Sequence, residues 1–297
     1  MKHLSHLCFT FFLAVPGAAM AQLGNGEATP DCKDCASWSK PQKPFKVYGN
    51  TYYVGTAALS SILIVSDQGD ILIDGDLNES ANAIADHVKA LGFKLSDIKL
   101  ILNSHAHYDH AGGIAQLQRL TGAEVRLSPW SAKLLATGVP GPDDQQFGIL
   151  HPVAKVIKAD TLHDGETVQV GPLALTAHFT PGHTPGGTTW TWRACENGRC
   201  LNMVYIDSLS TAAAPNFRFS DHPALLKDFD KSFAVVAALP CDIVLTPHPD
   251  ISKTMDRLAR RDKGEADAFV DSNACRAVAE SFRDGMQKRL AQEKAGK

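Results

Sequence analysis

From Phe45 onward the apolar residues recur at alternate positions, then at three- and four-residue spacing, and the two periods mark out strands and helices. Residues 45–55 alternate around Tyr52, Tyr53 and Val54 with a turn at Gly49 and Asn50, which predicts a hairpin. Two further short strands are predicted at 61–66 and 70–74, around Asp67, Gln68 and Gly69. Ala81, Ile84, Ala85, Val88 and Leu91 share one face, so 78–92 reads as a helix, capped by Asn78 or Ser80 and ended at Gly92. The apolar run 98–103 is too short for a typical helix and predicts a buried strand. A helix at 111–120, a strand at 124–127 and a helix at 129–136 follow. Strands then return at 168–170, 173–179, 188–193, 201–206 and 242–245. Helices are predicted at 223–239, with Pro223 in the first turn, and at 257–263 and 274–294. This order implies an α/β fold: two mixed β-sheets packed face to face with helices outside.

Two stretches lack either period. Residues 22–44 read as an irregular arm whose large apolar residue is Trp38. Residues 137–159 are rich in Gly, Pro and Asp and lead to Phe147, Ile149 and Leu150; a loop this long in a compact domain is often functional. The first 21 residues have the form of a secretory leader. Lys2 supplies a positive charge, an apolar run spans 7–15, and Ala19-Met20-Ala21 offers small residues for cleavage before Gln22. The expected organisation is a signal peptide at 1–21, the arm at 22–44 and one domain at 45–297. The apolar run is too short for a membrane span, and the product is expected in the periplasm.

The net charge of -3 comes without a basic stripe, which gives no electrostatic case for a nucleic-acid or membrane partner. Six cysteines follow the leader: Cys32, Cys35, Cys195, Cys200, Cys241 and Cys275. An even count in an exported chain favours disulfides. Several connectivities are open. The first choice bridges Cys195 to Cys200 across a hairpin turn, ties Cys241 to Cys275, and leaves Cys32 with Cys35. No strand-helix context supports a redox role for that last pair.

The chemistry concentrates at Asn103-Ser104-His105-Ala106-His107-Tyr108-Asp109-His110, which follows the buried run at 98–103. Imidazole is the commonest side-chain metal ligand, and a carboxylate beside it suits a borderline divalent ion. On an extended segment His105 and His107 share a face, and a bend after His107 would turn Asp109 and His110 toward a second ion. Gly112 and Gly113 would let the next helix approach the metals closely. Single histidines at strand exits, His183 and His248, complete the set, whereas His87, His151, His163 and His178 have no ligand-like context.

The spacing His105-x-His107-x-Asp109-His110, with His183 and His248 downstream, resembles the metallo-β-lactamase superfamily. The resemblance covers essentially the whole exported chain and implies an αββα sandwich with a dinuclear metal site at one edge of the sheets. It assigns His105, His107 and His183 to one Zn2+ and Asp109, His110 and His248 to a second. Ser208 stands where some subclasses have a cysteine ligand, and the segments around Ser208 and His248 look like class B, subclass three. The implied activity is opening of the β-lactam ring of penicillins, cephalosporins and carbapenems by a zinc-bound hydroxide, with Asp109 as the catalytic carboxylate. Ser208 and Ser210 would hold the substrate carboxylate, and Trp38, Phe147 and Ile149 would wall the site. A monomer acting on a small-molecule β-lactam is expected. A lactone or thiolester hydrolase of the glyoxalase II kind is the alternative. In those relatives an aspartate near this point bridges both metals; here Asp207 is expected to stand behind the ligands.

Overall fold

The computed structural model describes residues 26–296, so the leader and its cleavage site lie outside the described residues. One sheet contains β1 (Phe45–Tyr48), β2 (Thr51–Tyr53), β3 (Ile62–Ile64), β4 (Asp70–Ile73), β5 (Ile98–Leu102), β6 (Glu124–Leu127) and β7 (Asp160–Thr161), in that order. Neighbours are antiparallel from β1 to β4 and parallel from β4 to β7. The second sheet runs through β8 (Thr167–Val170), β9 (Leu173–Phe179), β10 (Thr188–Glu196), β11 (Arg199–Tyr205) and β12 (Ile243–Leu245). Its strands are antiparallel except for the last pair. Both sheets are therefore mixed, as the order of periods implied.

Three apolar layers hold the sandwich. Between the sheets, Tyr53, Ile62, Ile64, Ile71 and Ile73 meet Leu175, Trp190, Met203 and Tyr205, all fully buried. The alternate residues Leu63, Leu72 and Ile101 face the other way. They pack under α2 (Ala81–Ala90) and α4 (Ile114–Thr121). On the far side Val204 and Val244 lie beneath α6 (Pro223–Ala238) and α8 (Ala274–Lys294). Strand periodicity thus sends one face of each sheet inward and the other to its helices. Burying residues such as these contributes about 1.5–3 kcal/mol each before the entropy of ordering the chain is counted.

The remaining helices are α1 (Cys35–Trp38), α3 (Tyr108–Ala111), α5 (Pro129–Thr137) and α7 (Thr254–Asp262). Disulfides join Cys32 to Cys35, Cys195 to Cys200 and Cys241 to Cys275, the connectivity favoured above. Among the described residues no helix is long and apolar enough to cross a membrane. The exits of β5, β9, β11 and β12 carry His105, His183, Asp207 and His248, so strand ends from both sheets converge on one edge.

The reading of Gly112 and Gly113 needs correction. A Cβ at Gly112 would collide with the Tyr108 carbonyl and the Asn78 amide, and one at Gly113 with the Gly75 carbonyl. These glycines admit the 75–78 backbone against the helix break between α3 and α4; close approach to the metal site is not what they serve. The helix also begins earlier than expected, because Asp109 and His110 already sit on α3.

Candidate metal centre

His107 is the pivot of the cluster. Its backbone is extended, at φ −72° and ψ 153°, and α3 starts immediately after it. His105 and His107 therefore leave on an extended segment, while Asp109 and His110 turn away on the first helical turn. The result is two groups: His105, His107 and His183, and Asp109, His110 and His248. Within each group the donor atoms lie within 4.8 Å of one another. The groups adjoin, with the His105 and His110 ring centroids 4.5 Å apart.

Most of these rings are fixed from behind, so one nitrogen of each is committed outward and the other faces its group. His105 Nδ1 donates to Asp207 Oδ1 at 2.7 Å. His107 Nε2 donates to Asp144 Oδ2 at 2.9 Å. His183 Nδ1 lies 3.1 Å from the Ser210 carbonyl and 3.0 Å from its hydroxyl. His248 hydrogen-bonds the backbone of Ala58. Such partners select the tautomer and aim the free lone pair. His105 Nε2 is fully buried with no hydrogen-bond partner among the described residues. A buried imidazole nitrogen left in that state, aimed at two other imidazoles, fits a cation better than it fits a packed core.

The electrostatics agree with that fit. Burial, and then the neighbouring rings, holds the His105 pKa well below the usual histidine value. Burial and His107 lower His183 to about 3, so both rings are neutral at pH 7, the form that ligates. Burial opposes the charge on Asp109, but His110 and His248 outweigh it and hold the carboxyl well below the ordinary range. Asp109 Oδ2 lies 3.2 Å from His110 Nε2 and 3.3 Å from His248 Nε2. Five imidazoles and one carboxylate, with no thiolate, make a donor set suited to zinc or a similar borderline ion.

A carboxylate network supports the strand exit. Asp74, at the end of β4, is fully buried and accepts from Asn103 Nδ2 at 2.9 Å, Ser104 N at 2.7 Å and Ser104 Oγ at 2.7 Å. The Tyr205 hydroxyl adds a bond at 2.8 Å. Trp190 Nε1 donates to the Asn103 carbonyl at 3.0 Å. The two residues before His105 are thereby pinned from both sheets.

The other expected site residues fall as follows. Trp38 is half-buried and packs against His248, with ring centroids 5.7 Å apart. Ser208 is buried beside Ser210, and the Ser210 hydroxyl stands behind His183. Phe147 and Ile149 are 50% and 48% exposed on the 137–159 loop. Asp207 Oδ1 accepts from His105 Nδ1, and Asp207 belongs to neither three-donor group. His87 and His178 bond Val54 and Thr191, and His151 packs on Tyr108. Sequence reasoning missed Asp144 and Gln146, which reach the cluster from the long loop. An acid embedded in a Gly/Pro-rich loop carried the signal, but nothing in the spacing tied it to His107.

An edge site of two three-donor groups on a helix-flanked double sheet defines a class of metallohydrolases. The sequence profile of the metallo-beta-lactamase superfamily matches residues 55–195. The chain is 53% identical to MEM-A1, a subclass B3 metallo-β-lactamase isolated from a soil metagenome library. That alignment covers 88% of this chain and 100% of the other, with a TM-score of 0.85. The metallo-β-lactamase MIM-1 of Novosphingobium pentaromativorans is 41% identical over 87% of this chain and 93% of its own, with a TM-score of 0.83. The chain belongs to the metallo-β-lactamase superfamily, and it is a hydrolase of the type these subclass B3 neighbours represent. Among curated relatives, the hydroxyacylglutathione hydrolase of Pseudomonas aeruginosa is 36% identical over 50% of this chain and 45% of its own length. The chain spans about half or less of the length of curated relatives such as this one.

Proposed function

We propose that this chain is an exported, monomeric dizinc β-lactamase that opens the ring of penicillins, cephalosporins and carbapenems in the periplasm. Residues 45–297 would act as one catalytic domain, with the 22–44 arm laid against the site. The observation that supports this most is the pair of adjoining three-donor groups without cysteine, in a chain 53% identical to a subclass B3 enzyme along its full length.

His105, His107 and His183 would hold one zinc, and Asp109, His110 and His248 the other. Zinc bound there supplies a water that ionises near neutral pH and a Lewis acid for the carbonyl oxygen. Asp109, kept ionised by the rings beside it, orients the attacking water. Asp207, Asp144 and the Ser210 carbonyl hold the ligand rings in place. The Ser208 hydroxyl, with that of Ser210, binds the substrate carboxylate. Trp38, Phe147 and Ile149 cover the apolar parts of the substrate and keep bulk water from the ring.

A thiolester is the second reading, favoured by the hydroxyacylglutathione hydrolase match. Against it stands Asp207, engaged with His105 Nδ1 and outside both groups. Steady-state assays of zinc-loaded protein on nitrocefin, a carbapenem, a thiolester and an acyl-homoserine lactone distinguish the readings. Turnover of both β-lactams at rates above those of the other two is expected. Turnover of the thiolester or lactone without β-lactam hydrolysis would reject the first reading.

A further inference from the structure

Asp144 is 3% exposed in a loop that is otherwise mostly at the surface, and both of its oxygens are used. Oδ2 accepts from His107 Nε2 at 2.9 Å. Oδ1 accepts from the Gln146 amide at 2.7 Å. The same turn is closed by the Asp144 amide on the Gly141 carbonyl, at 3.2 Å, and by the Phe147 amide on the Asp144 carbonyl, at 3.0 Å. One carboxylate therefore joins the turn to a ring of the cluster. Because Nε2 is engaged from outside, His107 Nδ1 is the nitrogen that faces His105 and His183. Gln146 Nε2, 3.4 Å from His107 Nδ1 and 3.5 Å from His183 Nε2, marks that inward side.

The loop has a second anchorage. Gln145 Nε2 donates to the Ala212 carbonyl at 3.2 Å, and the Ala214 amide donates to the Gln145 carbonyl at 2.9 Å. Those partners continue the segment whose Ser210 holds His183. The loop thus spans from the His107 side of the first group to the His183 side, and it carries Phe147 and Ile149 at its exposed tip.

We propose that Asp144 is a positioning residue that couples the 137–159 loop to the first metal group. It selects the His107 nitrogen presented to the ion, and metal binding in turn orders the turn that places Phe147 and Ile149. Coupling of two equilibria is reciprocal: whatever the loop contributes to metal affinity, the metal returns to loop order. The inference rests on the metal-site reading and assigns that site a consequence the reading alone does not require. An outer partner of a metal-bound histidine typically alters affinity by about 10–100-fold.

The test uses the full chain, with Zn2+ as the probe. Hydrogen exchange is followed in chelator-treated and zinc-loaded protein, and the first-site affinity is measured by chelator competition in wild type, Asp144→Ala and Asp144→Asn. In wild type, zinc is expected to slow exchange at the Asp144, Gln146, Phe147 and Ile149 amides. In Asp144→Ala the first-site affinity falls about 10–100-fold and the zinc-dependent slowing disappears, while amides of β4 and β5 exchange as in wild type. Asp144→Asn, which keeps one acceptor oxygen, falls between. The coupling is overturned if zinc binds wild type without changing loop exchange, or if Asp144→Ala keeps both the affinity and the slowing. The wild-type comparison decides the matter even if the alanine variant does not fold. A wild-type protein that binds no divalent metal overturns the proposed function together with this coupling; bound metal with an unresponsive loop overturns the coupling alone.

Discussion

Replacing Asp74 by alanine removes the acceptor that fixes the approach to the metal cluster. Four donors converge on this fully buried carboxylate, and their alternatives differ. The Tyr205 hydroxyl can turn to the Ser60 carbonyl at 2.9 Å, and the Ser104 hydroxyl can rotate. The Ser104 amide and the Asn103 side-chain amide are left without that option. A buried donor stripped of its partner costs about 1–3 kcal/mol. Asp74 also has φ +62°, where alanine is about 1 kcal/mol worse than residues that tolerate the left-handed region. For the two donors and the backbone together the loss is about 3–7 kcal/mol, or about 6–28 °C in Tm at about 2–4 °C per kcal/mol. The assay is thermal and urea denaturation of chelator-treated protein, so that bound metal does not contribute to either stability. Asp74→Asn keeps an acceptor and tolerates the backbone, so its loss should be less than half as large. If metal-free Asp74→Ala melts within about 2 °C of wild type, the network is not what holds the 103–105 exit, and the reasoning fails.

Asp207→Ala should weaken zinc binding at the first group by about 10–100-fold in chelator competition, because His105 Nδ1 loses the acceptor that holds its ring. Wild-type affinity in that variant would show that His105 needs no such support. Gly187→Ala would drive a Cβ into the Asp207 carboxylate and the Thr180 carbonyl, and should cost about 1–3 kcal/mol by urea denaturation. Glu293, on α8, accepts from the Phe219 and Ser220 amides and from Arg289. Burial works against its charge, but these donors prevail and lower its pKa to about 2. The folded pKa lies below the unfolded one, so the stabilisation is full above about pH 4.5 and is lost as pH falls through about 2. Glu293→Gln should therefore cost up to about 3 kcal/mol at pH 7, with the gap to wild type closing between about pH 4.5 and 2. A gap that does not depend on pH would contradict the charge argument.

Much of this site was legible in the sequence because its candidate donors follow strands that are themselves legible. The run ending at Leu102 is apolar enough to mark a buried strand, and His105 and His107 come directly after it. His183 and His248 stand out among Pro and Gly at strand exits. What stayed hidden depends on where loops come to rest. Asp144 lies 37 residues from His107, and neither alternation nor helical spacing reports on a loop that folds back over the site. The backbone of Ala58 behind His248 has no side-chain signature at all. The two-residue strand β7 is exposed at both positions, so it shows no apolar alternation. Gly112 and Gly113 announced a close approach, which the sequence alone suggested was to the metals. The actual neighbour, the 75–78 backbone, required both segments to be placed.

The central claim is that two three-donor groups together form one β-lactam-hydrolysing centre. Restoring zinc stepwise to chelator-treated protein, while carbapenem turnover and bound metal are measured in the same samples, tests it most directly. The account predicts no turnover in the stripped protein and recovery that saturates at about two zinc ions per chain. Carbapenem turnover that persists after the metal is removed, or none when both positions are filled, would contradict it.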